Sequence, residues 1–174
     1  MSVFDVVRTA LAIRQFQDRP IPAEIVEQII ESARLTGSSR NLQPWHFVVV
    51  QSGATLREMG ALATSGPYIA QAPLAVVVLI EESSFAVSDA SRAIQSMVLT
   101  AWEAGIGSNW VGFLDFGGLE DVKPLLGIPD RLKVLAIVPF GYPVAAVGQG
   151  KKKRKPSPQV ISSERFGQPL GPVE

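Results

Sequence analysis

The sequence predicts an α+β sandwich, about four strands wrapped by about five helices. Three observations carry that reading. Leu74 to Ile80 is apolar at every position, which suits a central strand covered on both faces. Phe47 to Val50 and Val134 to Phe140 have the same buried character. Between these runs, apolar residues recur at helical spacing. Ile25, Val26, Ile29, Ile30 and Ala33 form one such set, and Ala90, Ala93, Ile94, Met97, Val98 and Ala101 form a second, wider stripe.

Taken in order, residues 2–12 read as a helix with Val3, Val6, Val7, Ala10 and Leu11 on one face. Pro22 falls in the first turn of a second helix, where its missing N–H does no harm, and Gly37 supplies a stop. Phe47 to Val50 is a short strand, and Ala54 to Ala63 a short helix. After the strand Leu74 to Ile80, Ser88 stands where it can cap the helix that Gly105 ends. Ser108 to Phe113 reads as a strand, Leu119 to Leu126 as a short helix despite Pro124, and Val134 to Phe140 as the last strand. The remainder, 141–174, is rich in Pro, Gly and Lys with little periodicity, so it is an extended arm of a single domain spanning 1–174.

Composition narrows the chemistry. With no cysteine, the chain holds no disulfide, thiolate nucleophile or Cys-rich metal site. A single histidine, His46, rules out a multi-histidine metal site within one subunit. Lys+Arg and Asp+Glu are both 16, so no global field favours nucleic acid or an anionic membrane. The longest apolar run, Ala72 to Ile80, falls far short of the roughly 20 residues a membrane span needs, and Met1 to Arg14 is a mixed, charged segment rather than a secretory signal. The expectation is a cytoplasmic protein. Mean hydropathy is +0.22 while 18% of residues are charged, against roughly 25% in ordinary domains. Either the core is large or apolar surface is buried between subunits.

Common motifs fail. Gly105-Ile106-Gly107 is followed by Trp110 where a dinucleotide fingerprint needs glycine, and it follows a helix instead of a strand. No phosphate loop of the G-x-x-x-x-G-K-[ST] type and no G-x-S-x-G elbow is present. His46, between Trp45 and Phe47, reads as a packed or interface residue in preference to a catalytic base. The run Lys151 to Lys155 has three readings: a solvated tail, a nucleic-acid patch, or a phosphate clamp whose cations at i and i+2 project from one side.

The most informative segment is Ser38-Ser39-Arg40-Asn41-Leu42-Gln43-Pro44-Trp45-His46-Phe47, between the second helix and the first strand. It offers hydroxyls and two amides in a loop stiffened by Pro44, groups that suit a planar heteroaromatic ringed with donors and acceptors. The plain alternative is a turn whose Ser and Asn serve only the backbone. This segment resembles the flavin-binding loop of the nitroreductase family, which reads roughly Pro-Ser-x-x-Asn-x-Gln-Pro-Trp. Gly37 replaces the leading proline. Ile13-Arg14-Gln15-Phe16 with Asp18, Pro20 and Ile21 is similar to that family's N-terminal phosphate-binding segment. Gly105 to Ser108, Leu126 to Pro129, Gly141 to Pro143, and Lys152, Arg154 and Pro156 match it in order and spacing, so the resemblance spans nearly the whole chain.

The resemblance implies a mostly antiparallel central sheet and a homodimer with FMN at the subunit interface, touched by both chains. It assigns Arg14, Lys152 and Arg154 to the FMN phosphate, which suits the planar fork of Arg and the point charge of Lys. It places Ser38, Ser39, Arg40, Asn41 and Gln43 around the ring system and a backbone N–H near Gly112 at the reactive flavin nitrogen. NADH or NADPH would reduce the flavin and a nitroaromatic, quinone or similar small acceptor would reoxidise it in ping-pong fashion, with no catalytic side chain required. A dehalogenase-like relative and an FMN storage or sensor protein remain alternatives. Ala10 and Ala12 stand where many members carry Arg and Ser. Unless Arg8 or Arg40 compensates, FMN binding should be weaker than usual, since each charge-assisted bond is worth roughly 1.5–3 kcal/mol.

Overall fold

A computed structural model describes residues 1–145 and 152–171. Its sheet forms because three apolar runs can pair only with one another. β1 (Trp45–Val50), β2 (Leu74–Ile80), β3 (Gly107–Ser108) and β4 (Lys133–Gly141) pair in the order β1-β2-β4-β3, antiparallel throughout. Every residue of β2 is buried. Its side chains alternate between two cores. Leu74, Val76, Val78 and Ile80 face one, which α2 (Ala23–Arg34) and α4 (Ala86–Glu103) cover; Ala75, Val77 and Leu79 face the other, with α3 (Gly53–Leu62) and α5 (Val122–Leu126). Between Val78 and Leu79 the register slips by one, Val78 opposing Ala136 and Leu79 opposing Val134. Leu135 is the extra residue, so Leu135 and Ala136 both join the first core, as a bulge requires.

Several boundaries differ from the sequence expectation, each for a local reason. The first helix, α1, is only Val3–Thr9 and closes with Ala10 already extended. Ser2 and Asp5 form a reciprocal capping box at its start, and only Val6 and Thr9 are buried, leaving Val3 and Val7 in solvent. α2 ends at Arg34, three residues before Gly37, where the Thr36 hydroxyl donates to the Ser32 carbonyl. α4 starts at Ala86; Ser88 lies inside it, its hydroxyl donating to Phe85 O, and is not the cap.

The strand expected over Ser108 to Phe113 stops at Ser108, with further isolated bridges from Val111 to Ile137 and from Phe113 to Phe116. Gly112 takes a left-handed backbone (φ 68), and the Trp110 indole donates to the Gly112 carbonyl at 2.6 Å, which breaks the extended run although Leu114 N–H still donates to Leu135 O of β4 at 3.0 Å. The α5 helix is shorter than expected at its start. Pro124 is its third residue, where no helical N–H bond is yet due, and Gly127 (φ 65) closes it. His46 is exposed on β1 rather than packed within the chain. Residues 152–171 run across the exterior with a short helical turn, Ser157–Gln159, and a second turn closed by Ser163 N–H to Gln168 O, and Phe166 is wholly exposed. Lys151, in the basic run, lies outside the described residues.

Candidate functional site

Two clusters carry the expected site residues, and they sit at opposite ends of α4. The first is the loop Ser38–Gln43. The Ser38 hydroxyl accepts the Gln43 N–H at 2.9 Å, closing the loop on itself. The Gln43 side-chain amide donates to the Asn41 carbonyl (3.3 Å) and to Asn41 Oδ1 (3.2 Å). Arg40, Asn41 and Gln43 all hold left-handed backbone, with φ of 53, 55 and 51. For residues other than glycine this conformation costs about 1–3 kcal/mol each, and it concentrates at ligand clamps and active sites. All three residues are exposed, so their strained backbone presents amides and a guanidinium to solvent instead of filling a core.

What anchors this loop is a residue the sequence reading passed over. Asp89, in the first turn of α4, is fully buried. Its carboxylate accepts the Ser39 N–H at 2.9 Å and the Ser39 hydroxyl at 3.3 Å, and the Arg92 guanidinium caps the same group. Burial pushes the Asp89 carboxyl up, but the bonds from Arg92 and from Ser39 outweigh it and hold the group below its ordinary value. A signal was present. One carboxylate interrupts an apolar stripe, with an arginine three residues on.

The second cluster gathers where the N-terminal segment joins the sheet edge. Ile13 N–H donates to Ser108 O at 2.8 Å, Gln17 N–H to Tyr142 O at 2.8 Å, and Val144 N–H to Gln15 O at 3.3 Å. The segment is thus threaded between β3 and the chain leaving β4. Arg14 is exposed there and lines a groove of about 450 Å³ with Leu11 to Gln15 and Pro143 to Ala145. Among the described residues it faces no carboxylate. Gly112 follows along the same edge, beside the bridge of Val111 to Ile137, and its N–H donates to no group among the described residues. Ala12 bridges Ser108, so its position is taken up by pairing.

The basic arm is brought to this cluster only in part. The Lys152 ammonium donates to Val7 O at 2.6 Å at the end of α1, and burial together with the nearby Arg154 charge lowers its pKa. Arg154 bonds its own neighbour's carbonyl, Lys153 O, at 2.9 Å and is exposed. Arg8 is engaged by Asp5 at 3.2 Å in the α1 capping network.

The clusters do not meet within one chain. Asp89 marks one end and Trp102, bonded to Thr9 at 3.0 Å, the other. That span of helix is about 20 Å at 1.5 Å per residue. Across the sheet, β1 and β3 are the two edges, about 14 Å apart.

A strained polar loop and a groove lined by Arg14 stand on an antiparallel sheet flanked by helices, which makes this an α+β protein. The family described as "Nitroreductase family" matches residues 7–87 and 67–142. A provisionally described NADH dehydrogenase/NAD(P)H nitroreductase of Methanothermobacter thermautotrophicus is 30% identical, over 85% of this chain and 81% of its own. One of the same description from Archaeoglobus fulgidus is 35% identical, over 79% and 83%. Among solved structures, an FMN-dependent nitroreductase from Clostridium difficile superposes with a TM-score of 0.83 at 24% identity, covering 94% of this chain and 99% of that one. The chain belongs to the nitroreductase family.

Proposed function

We propose that the protein is a homodimeric, cytoplasmic, FMN-dependent oxidoreductase that passes hydride from NADH or NADPH to a small acceptor such as a nitroaromatic or quinone. The observation that carries this reading is the separation of the two clusters. One supplies a cation and a free N–H, the other a fan of amides, and each is half of a site for a planar phosphate ester. A second copy related by a two-fold axis brings the loop of one subunit over the groove of the other, which makes two whole sites.

The donor set fits FMN. Arg14, exposed over its groove, offers the phosphate a planar fork, with Arg154 and, if it leaves Val7, Lys152 adding charge. Asn41 and Gln43, which satisfy each other at 3.2 Å, can turn to a heterocycle's carbonyls and imide, and the Asn41 carbonyl that Gln43 then releases is exposed to water. Ser38, Ser39 and Arg40 border the same surface, and the Gly112 N–H supplies a fixed donor at the ring's reactive edge. When bound, FMN supplies the hydride-accepting and hydride-donating chemistry; the protein's part is binding, orientation and shielding. One pocket used in turn by donor and acceptor gives ping-pong kinetics. In line with this, the family relatives above are described as NAD(P)H nitroreductases.

The test is to purify the protein without added cofactor, reconstitute it with FMN, desalt, and record the visible spectrum and the mass by light scattering. The expected result is a flavin band on a particle of twice the 18.7 kDa chain mass, with parallel double-reciprocal plots for NAD(P)H and acceptor. A colourless protein that refuses FMN, or a monomer that binds it fully, overturns the reading.

A further inference from the structure

We propose that Asp89 is the positioning residue of the Ser38–Gln43 loop: buried in α4, its carboxylate takes both polar hydrogens of Ser39 and so fixes where the Asn41 and Gln43 amides stand. The proposal rests on the reading of that loop as flavin-contacting surface.

A buried charge is costly unless it is paired, and Asp89 is the one charged side chain fully buried among the described residues. Its neighbours Ala90 and Ala93 pack the first core, and a small apolar side chain at 89 would serve that packing equally well. Within its own helix the carboxylate pairs only with the Arg92 side chain, three residues on. Phe85 is the N-cap of α4, with no side-chain cap bond, and Asp89 accepts from none of the α4 amides. Its partners are the loop and Arg92. Oδ2 takes the Ser39 backbone N–H at 2.9 Å, while Oδ1 takes the Ser39 hydroxyl at 3.3 Å and the Arg92 guanidinium. Placement near the positive end of α4 favours the ionised form.

The loop needs such a hold. Ser39 immediately precedes Arg40 and Asn41, the first two left-handed residues, so the Asp89 bonds fix the point from which the strained path departs. At the far side the path closes on Ser38 through Gln43 N–H and on Trp45 N–H, which donates to Gln43 O at 2.8 Å. The residues between, Arg40 to Gln43, are exposed, and among the described residues they bond only within the loop and to Trp45. Release of Ser39 therefore frees the segment to relax out of left-handed backbone, and the two amides move with it.

The test uses full-length apo-protein titrated with FMN, followed by quenching of flavin fluorescence, with exchange of the Ser39 amide followed separately by NMR in the absence of FMN. Asp89→Asn is nearly isosteric and keeps an acceptor, but removes the charge. The expected result is faster exchange at Ser39 and FMN binding weakened about tenfold, the scale of one charge-assisted hydrogen bond, with the far-UV circular dichroism unchanged. Ser39→Pro removes the same N–H and hydroxyl from the loop side and leaves α4 intact. The extended backbone of Ser38 (φ −123, ψ 158) accepts a following proline, and Ser39 opens its turn, where proline fits. It should weaken FMN to a similar degree, whether or not Asp89→Asn folds. The proposal is overturned if either folded variant binds FMN as tightly as wild type, or if Asp89→Asn leaves Ser39 exchange unchanged. A wild-type protein that binds no FMN overturns the flavin reading instead, and exchange at Ser39 still reports on its tie to Asp89.

Discussion

The indole N–H of Trp102 donates to the Thr9 hydroxyl at 3.0 Å, tying the C-terminal end of α4 to a helix of seven residues. A helix that short is not stable alone, and α1 buries only Val6 and Thr9. The Thr9 hydroxyl passes the tie on, donating to Asp5 O at 2.6 Å. Trp102→Phe keeps the aromatic packing and removes the donor. The expected cost is about 1 kcal/mol, seen as amide exchange in α1 about fivefold faster than in wild type. Equal exchange in the two proteins would mean that packing alone holds the helix.

Gly112 is a turn with no room for a side chain. Its φ is 68, and a Cβ there would lie 2.6 Å from the Leu119 side chain, which is itself fully buried. Gly112→Ala should lose about 1–2 kcal/mol to left-handed backbone and about 1–3 kcal/mol more to overpacking. Urea unfolding reads the loss as a lower midpoint at an unchanged slope. A midpoint at the wild-type value would show that the 112–119 turn is free to rearrange.

β2 was legible to the residue because both of its faces are covered, and a run with no polar member has one reading. The loop Ser38–Gln43 was legible as a polar, proline-stiffened turn. Its left-handed backbone was not, because Arg and Gln adopt that conformation only when neighbours over-determine it, and an Asn, which tolerates it, does not by itself mark it. The neighbour is Asp89, fifty residues away. Beyond Ser108 the strand propensity of Trp110, Val111 and Phe113 yields only the Val111 bridge to Ile137 and the Leu114 bond to Leu135, because the left-handed Gly112 between them interrupts the extended run. α1 was too long because Ala10 and Leu11 extend the apolar spacing past the point where the chain straightens to pair with Ser108.

Acid should loosen the loop before it unfolds the sheet. The Asp89 carboxyl is held below its ordinary 3.8 in the folded protein, burial being outweighed by the bonds from Arg92 and Ser39. A depressed folded value means that the ionised carboxyl stabilises the fold above the ordinary pKa. That contribution is lost as pH falls below 3.8 through the folded value. Ser39 amide exchange, corrected for the intrinsic pH dependence, should accelerate across that interval in wild type and stay flat in Asp89→Asn. A flat profile in both proteins would show that the carboxyl does not titrate against the loop.

The arm supplies the last test, because it carries apolar side chains that its own chain leaves uncovered. Val160 is 62% exposed, Leu170 55%, Ile161 45% and Phe166 wholly so, while Met1, Val3 and Phe4 of the N-terminal helix region are exposed as well. Scattered apolar residues on a surface are ordinary, but four along one extended segment are costly in water unless a second copy covers them. In the proposed dimer, burying each large side chain is worth about 1.5–3 kcal/mol. Replacing Ile161 and Phe166 together by Asp removes that gain and adds two charges to the covered surface. Light scattering should then find a monomer at concentrations where the wild type is a dimer, with the circular dichroism of the sheet retained. FMN binding should fall with dimerisation, since the loop and the groove lie at opposite ends of α4. A double variant that stays dimeric would place the arm outside the interface; one that is monomeric yet binds FMN normally would place the whole site within a single chain.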